Sequence, residues 1–160
     1  MPPHLHKQNL VAPGTSQNVT VVDGVATAEF SNLTVGNHTV YVVYSGDNNH
    51  ESFVNNMSSV IISETELNAT VGVTSITYGQ DGTITVKLND TLATGKVSVT
   101  VNGTTITQSI GAGETLEFTF EGLVSGSYPV WVSFAADSGF TSFDDTQFGS
   151  LVVLVFVLLT

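Results

Sequence analysis

At 160 residues, with 41% hydrophobic but only 11% charged side chains, the chain suits one large domain or two small ones. Fourteen acids face only Lys7, Lys87 and Lys96, with no arginine, and the net charge of −11 makes nucleic acid and anionic membrane surfaces poor partners. With no cysteine there is no disulfide framework, no thiolate nucleophile and no sulfur metal site.

The chain opens on "MPPHLHKQNLVAPGTS" (Met1–Ser16), where His4 and His6 share one side of an extended segment without a third ligand nearby. That pattern reads as a loose terminus rather than a zinc site. No apolar signal-peptide core is visible in these residues. From Val21 onward, valine and threonine dominate, the composition of a pleated surface. "FSNLTVGNHTVYVVYSGDNNH" (Phe30–His50) carries a strand pattern and then the loop "SGDNNHE" (Ser45–Glu51). The loop lacks the spacing of a twelve-residue calcium site, so turn-making is the expected job of Asp47 and Asn48. Asp144 and Asp145 offer further oxygens without a shaped loop, and no metal is expected at either place.

After the short linker "SETE" (Ser63–Glu66), strands are expected at Leu67–Val71, Thr83–Leu88, Lys96–Val101, Thr104–Ile110, Thr115–Phe120, Tyr128–Phe134 and from Leu151 to Val155. "YGQDGT", "VNGTT" and "GAGE" punctuate them as turns. Seven short strands over this length describe an immunoglobulin-like β-sandwich. Within Tyr128–Phe134, Val130, Val132 and Phe134 share one face and Trp131 and Ser133 the other. "LVSGSY" (Leu123–Tyr128) resembles a tyrosine corner, in which the phenol bonds back to the backbone. Pro129 is expected at the first residue of its strand, because it removes a ladder donor. The final "SLVVLVFVLLT" is too short to span a membrane as a helix; its first half is expected to close the sandwich, and residues 151–160 are either strand or the start of an anchor.

The two halves repeat one pattern. Ninety residues after Phe30–His50 stands "FEGLVSGSYPVWVSFAADSGF" (Phe120–Phe140). Leu33 aligns with Leu123, Gly36 with Gly126, His38 with Tyr128, Val40 with Val130, Val42 with Val132, Tyr44 with Phe134 and Asp47 with Asp137. Tyr41 falls on Trp131. The fold expected is therefore all-β, tandem immunoglobulin-like β-sandwich domains with the first truncated: a partial repeat at 1–64 lacking its first strands, and a near-complete one at 65–160. The partial repeat should lack part of its core and expose a sheet edge.

The run Val21–Ser63, with Leu33, Gly36, His38, Val40, Val42, Tyr44, Gly46 and Asp47, resembles the bacterial Ig-like repeats of adhesin-like surface proteins found in methanogenic archaea and bacteria. The second copy keeps Leu123, Gly126, Tyr128, Val130, Val132 and Asp137, but has Phe134 for Tyr and Ala136 for Gly. The resemblance implies an extracellular, envelope-attached stalk or adhesin module whose partners are neighbouring repeats and surface glycans or proteins.

Seven N-x-S/T sequons, at Asn18, Asn32, Asn37, Asn56, Asn68, Asn89 and Asn102, exceed the two or three that chance gives at about this composition, and they are candidate glycosylation sites. The plainer explanation is that Thr-rich strands beside Asn-rich turns create sequons without use. Tyr41 and Trp131 are candidate exposed aromatic contacts for a sugar ring or a protein partner, packing against a neighbouring strand being the bland alternative. There is no G-x-S-x-G elbow, no H-E-x-x-H and no phosphate loop, so no catalytic residue and no cofactor is expected. The function expected is a non-catalytic cell-surface stalk or adhesin module. The alternative is a carbohydrate-binding or accessory module of a larger extracellular enzyme, acting through Trp131.

Overall fold

Alternating β-branched residues build strands throughout. The computed structural model describes residues 7–12 and 15–156, and these contain twelve strands and no helix. They fall into two units, divided between Ser63 and Glu64.

The first unit is one antiparallel sheet. It contains β1 (Lys7–Ala12), β2 (Thr15–Thr20), β3 (Gly36–Tyr44) and β4 (Phe53–Ile62), in the order β2-β1-β3-β4. Val22 and Val25 exchange two 2.9 Å backbone bonds around Asp23 and Gly24, whose φ values of 49° and 79° fit a type I′ turn. No described side chain of this unit is fully buried.

The second unit holds β5 (Ala69–Val73), β6 (Ile76–Thr77), β7 (Gly82–Leu88), β8 (Gly95–Val101), β9 (Thr104–Ile110), β10 (Thr115–Phe120), β11 (Gly126–Ala136) and β12 (Phe143–Leu154). They form two sheets, β10-β7-β5 and β6-β12-β11-β8-β9. Ile84 and Val86 of β7 and Phe118 of β10 join Val97 and Val99 of β8, Val130 and Val132 of β11, and Leu151 of β12 in one buried cluster. Two sheets sharing one core make a β-sandwich. Each side chain fully buried there contributes about 1.5–3 kcal/mol of apolar transfer. Glycine also permits close packing: a Cβ on Gly95 would collide with the carbonyl oxygen of Ala135, and one on Gly82 would lie 2.5 Å from a Leu151 methyl.

Several expectations change in detail. β12 begins eight residues before Leu151, and its pairing with β11 shifts register between Val130 and Trp131 and again between Val132 and Phe134. Such bulges break the two-residue period by which a strand is read. Pro129 lies inside β11 rather than at its start. It is tolerated because the ladder to β8 begins only at Trp131, leaving Pro129 paired with β12 alone, opposite Ser150. The two-residue β6, unmarked by any alternation, pairs parallel with β12.

The first unit reproduces the larger sheet of the second. The order β2-β1-β3-β4 matches β9-β8-β11-β12 strand for strand. Tyr44 pairs Phe53, with ring centroids 5.5 Å apart, as Phe134 pairs Phe143 at 5.9 Å. Further along, Val60 faces His38 where Leu151 faces Tyr128, so the end of the last strand runs one residue out of step with the ninety-residue offset. No described strand of the first unit corresponds to β5, β6 or β7. The stretch aligned with β10, Val25 to Phe30, forms no strand beyond the isolated Val22–Val25 bridge. β10 has β7 as its ladder neighbour in the second unit, and among the described residues of the first unit no strand takes that place beside Val25–Phe30.

Candidate functional site

The repeat positions differ in burial between the two units. Val130 and Val132 are wholly buried and Leu123 nearly so, while Leu33, Val40, Val42 and Tyr44 of the first unit are only half-buried. The tyrosine corner is present: Tyr128 donates its hydroxyl proton to the Val124 carbonyl at 2.9 Å. In the first unit His38 Nε2–H donates to the aligned carbonyl, Thr34, at 2.6 Å, so an imidazole replaces the phenol as donor. Gly36 and Gly126 open β3 and β11.

Asp47 organises the loop after β3. Its carboxylate accepts from Asn49 N–H at 2.7 Å, from the Tyr44 hydroxyl at 2.8 Å and from His50 Nδ1, which lies 3.0 Å from both oxygens. These donors, Asn49 N–H foremost, hold Asp47 well below the usual carboxylate range. The Tyr44–Asp47 hydrogen bond pushes the Tyr44 phenol up. Asp137 is built otherwise: its backbone N–H donates to Thr94 O at 3.1 Å and its carboxylate accepts from Thr94 Oγ1 at 2.9 Å. With Phe134 in place of Tyr44, the phenol donor has no counterpart. Among the described residues no three His, Asp or Glu side chains gather as a metal site. Asp144 and Asp145 lie exposed on β12. His4 and His6 lie outside the described residues.

Of the sequons, Asn18, Asn32, Asn37, Asn68, Asn89 and Asn102 are exposed, and the Asn56 side chain lies outside the described residues. Two of these asparagines also serve the backbone. Asn32 adopts φ 58° where the aligned Gly122 adopts 67°, and Asn102 adopts φ 51° in the two-residue turn between β8 and β9. Asn68 and Asn89 are neighbours, Asn68 N–H donating to Asn89 Oδ1 at 2.9 Å.

Tyr41 and Trp131 are both exposed, at 41% and 37%. Trp131 stands between Thr100 of β8 and Gln147 of β12. Beside it run two hydroxyl pairs, Thr100 with Thr105 at 2.8 Å and Ser98 with Thr107 at 2.7 Å. An indole flanked by hydroxyls and an amide offers both a stacking face and hydrogen-bond groups. Part of this set was legible: the Asn102–Gly103 turn fixes the register that places Thr105 beside Thr100, whereas Thr100 meets Trp131 through the long-range pairing of β8 with β11.

The final apolar run divides. Leu151–Leu154 complete β12, Val155 and Phe156 follow outside any strand, and residues 157–160 lie outside the described residues. No helix among the described residues is long and apolar enough to cross a membrane.

No family model and no curated protein matches the chain. Among solved structures, it is similar to one from work on host cell surface retention of a 1.5-MDa bacterial ice-binding adhesin, at 19% identity and a TM-score of 0.43, over 92% of this chain and 52% of that one. Another belongs to a Ca2+-stabilized adhesin that helps an Antarctic bacterium reach out and bind ice, at 18% identity and a TM-score of 0.40, over 95% and 41%. The chain thus spans about half the length of the first and less of the second.

Proposed function

We propose that this chain is a non-catalytic module of an exported, cell-surface stalk or adhesin, built from immunoglobulin-like repeats. One observation carries the reading: in the second unit the entering segment from Thr65 to β6 is paired parallel to the closing segment from Phe140 through β12. Thr65 bridges Phe140, and eleven residues later Ile76 pairs Val153, both in parallel register. The chain therefore comes into this sandwich at one end and leaves at the other, about 35 Å away at strand rise. That is the geometry a link in a spacer needs. The sheet order, the tyrosine corner and the recurrence of one sheet in both units support the immunoglobulin-like repeat. Glycans on the exposed asparagines would shield sheet edges from association and proteolysis.

Stretching the chain between its ends by force spectroscopy tests the spacer. Unfolding of the second unit in one cooperative event, releasing about 30 nm of chain at the extended rise per residue, is expected. Gradual low-force extension without such an event would exclude a load-bearing link.

Trp131 with Thr100, Thr105 and Gln147 favours a second reading, a carbohydrate-binding or accessory module. Polysaccharide pull-down that Trp131→Ala abolishes would support it; binding undiminished by the substitution would remove it.

A further inference from the structure

We propose that Asn102 is an N-glycan acceptor and that the sugar joined to it, a neutral N-acetylated hexosamine, seats in the groove between β9 and the end of β10. This rests on the reading of the chain as exported, since glycan transfer needs an exported acceptor. Asn102 and Gly103 form the two-residue turn between β8 and β9, at φ 51° and 73°, and Thr104 opens β9. The turn stands clear: a Cβ built on Gly103 meets nothing within 4 Å. Other sequons are placed differently. Asn18 and Asn37 lie inside β2 and β3, and Asn89 Oδ1 is held by Asn68 N–H at 2.9 Å.

A groove of about 290 Å³ opens beside Asn102, which forms part of its wall. Ile106 of β9, Phe120 at the end of β10 and Leu123 beyond it supply an apolar floor. Exposed Thr104, Thr119 and Glu121 add two hydroxyls and a carboxylate at the rim. Further along the same two strands, Gln108 Nε2–H donates to the Glu117 carbonyl at 2.8 Å and joins them across the gap. An apolar floor with a few polar groups around it suits a pyranose, whose C–H face covers Ile106 while its hydroxyls meet the threonines. Glu121 accepts from the N-acetyl amide N–H. The same carboxylate, in a chain of net charge −11, repels a uronic acid, which sets the sugar class. Because the sugar is tethered to Asn102, its effective concentration at the groove is on the order of millimolar, and a weak contact suffices. In the transfer itself, Asn102 Nδ2 bonds to C1 of a sugar activated as a diphosphate ester. The C1–O bond breaks, and the diphosphate leaves with the amide proton.

The full chain, secreted from a yeast line that attaches N-glycans and trimmed enzymatically to one N-acetylglucosamine per site, supplies the test. Peptide mass mapping should find Asn102 occupied. Nuclear Overhauser contacts should join that sugar to Ile106, and amides of Thr104–Ile106 and Thr119–Glu121 should exchange roughly fivefold more slowly than in the same chain made without sugar. Glu121→Ala, at an exposed rim position, should keep Asn102 occupied and reduce the slowing. A bare Asn102 while other sequons carry sugar would overturn the proposal and leave the exported reading standing. Bare sequons throughout would overturn it together with any use of the sequons. An occupied Asn102 without Overhauser contacts, or with unchanged exchange along the groove, would overturn it as well.

Discussion

Asp47 and Asp137 align in sequence and are built differently: Asp47 bonds within its own loop to Tyr44, Asn49 and His50, and Asp137 bonds to Thr94. Tyr44 supplies a phenol donor that Phe134 lacks. Because folding lowers the Asp47 pKa, its contribution is fully present above the unfolded carboxylate value near 3.9 and is lost as pH falls through the folded value. The side-chain carboxyl resonance of Asp47 should therefore stay in its ionised position at about pH 4, where unperturbed aspartates are half protonated. A midpoint at the ordinary value would contradict the hydrogen-bond cluster. Tyr44→Phe should leave the strand in place and speed amide exchange at Asn49. At the corner, Tyr128→Phe removes the bond to Val124 O and should cost about 1 kcal/mol in urea denaturation. The tyrosine corner was legible as a motif, and His38 filling the same role followed from the alignment. The Asp47 cluster was legible only as turn chemistry, because its donors meet through a loop whose path no local pattern dictates.

At the scale of elements, what the sequence made readable is what alternation and two-residue turns control. β8, β9 and β10 match their patterns within a residue, and Asn102–Gly103 sets the hairpin register. The start of β12 was hidden because Phe143 and Phe148 are spaced across register shifts, so the two-residue period fails there. Val25–Phe30 alternates in burial and forms no strand, because among the described residues of the first unit no strand stands where β7 stands beside β10. Packing follows the same division. Val132→Ala should destabilise the second unit by about 2–3 kcal/mol, from two lost carbons plus a residual cavity, while Val42→Ala in the half-buried counterpart should cost the first unit less than half of that. Equal costs, read by denaturation at probes placed in each unit, would show that the two faces are equally covered. Gly95→Ala is expected to be worse than either, since its Cβ meets backbone rather than a movable side chain. Nothing in the local pattern singled out that glycine.

Across the described residues, the same four-strand order occurs in both units, in the second beneath another sheet and in the first without one among the described strands. The shared sheet order accompanies six identical positions ninety residues apart, while burial depends on which described strands cover each sheet. Hydrogen exchange of the untreated full chain, compared between Val130–Phe134 and Val40–Tyr44, measures this most directly. Aligned amides in β11 should exchange only through global opening, and those in β3 at least about 100-fold faster, through local opening of an uncovered sheet. Matched protection in the two strands, or slower exchange in β3, would contradict it.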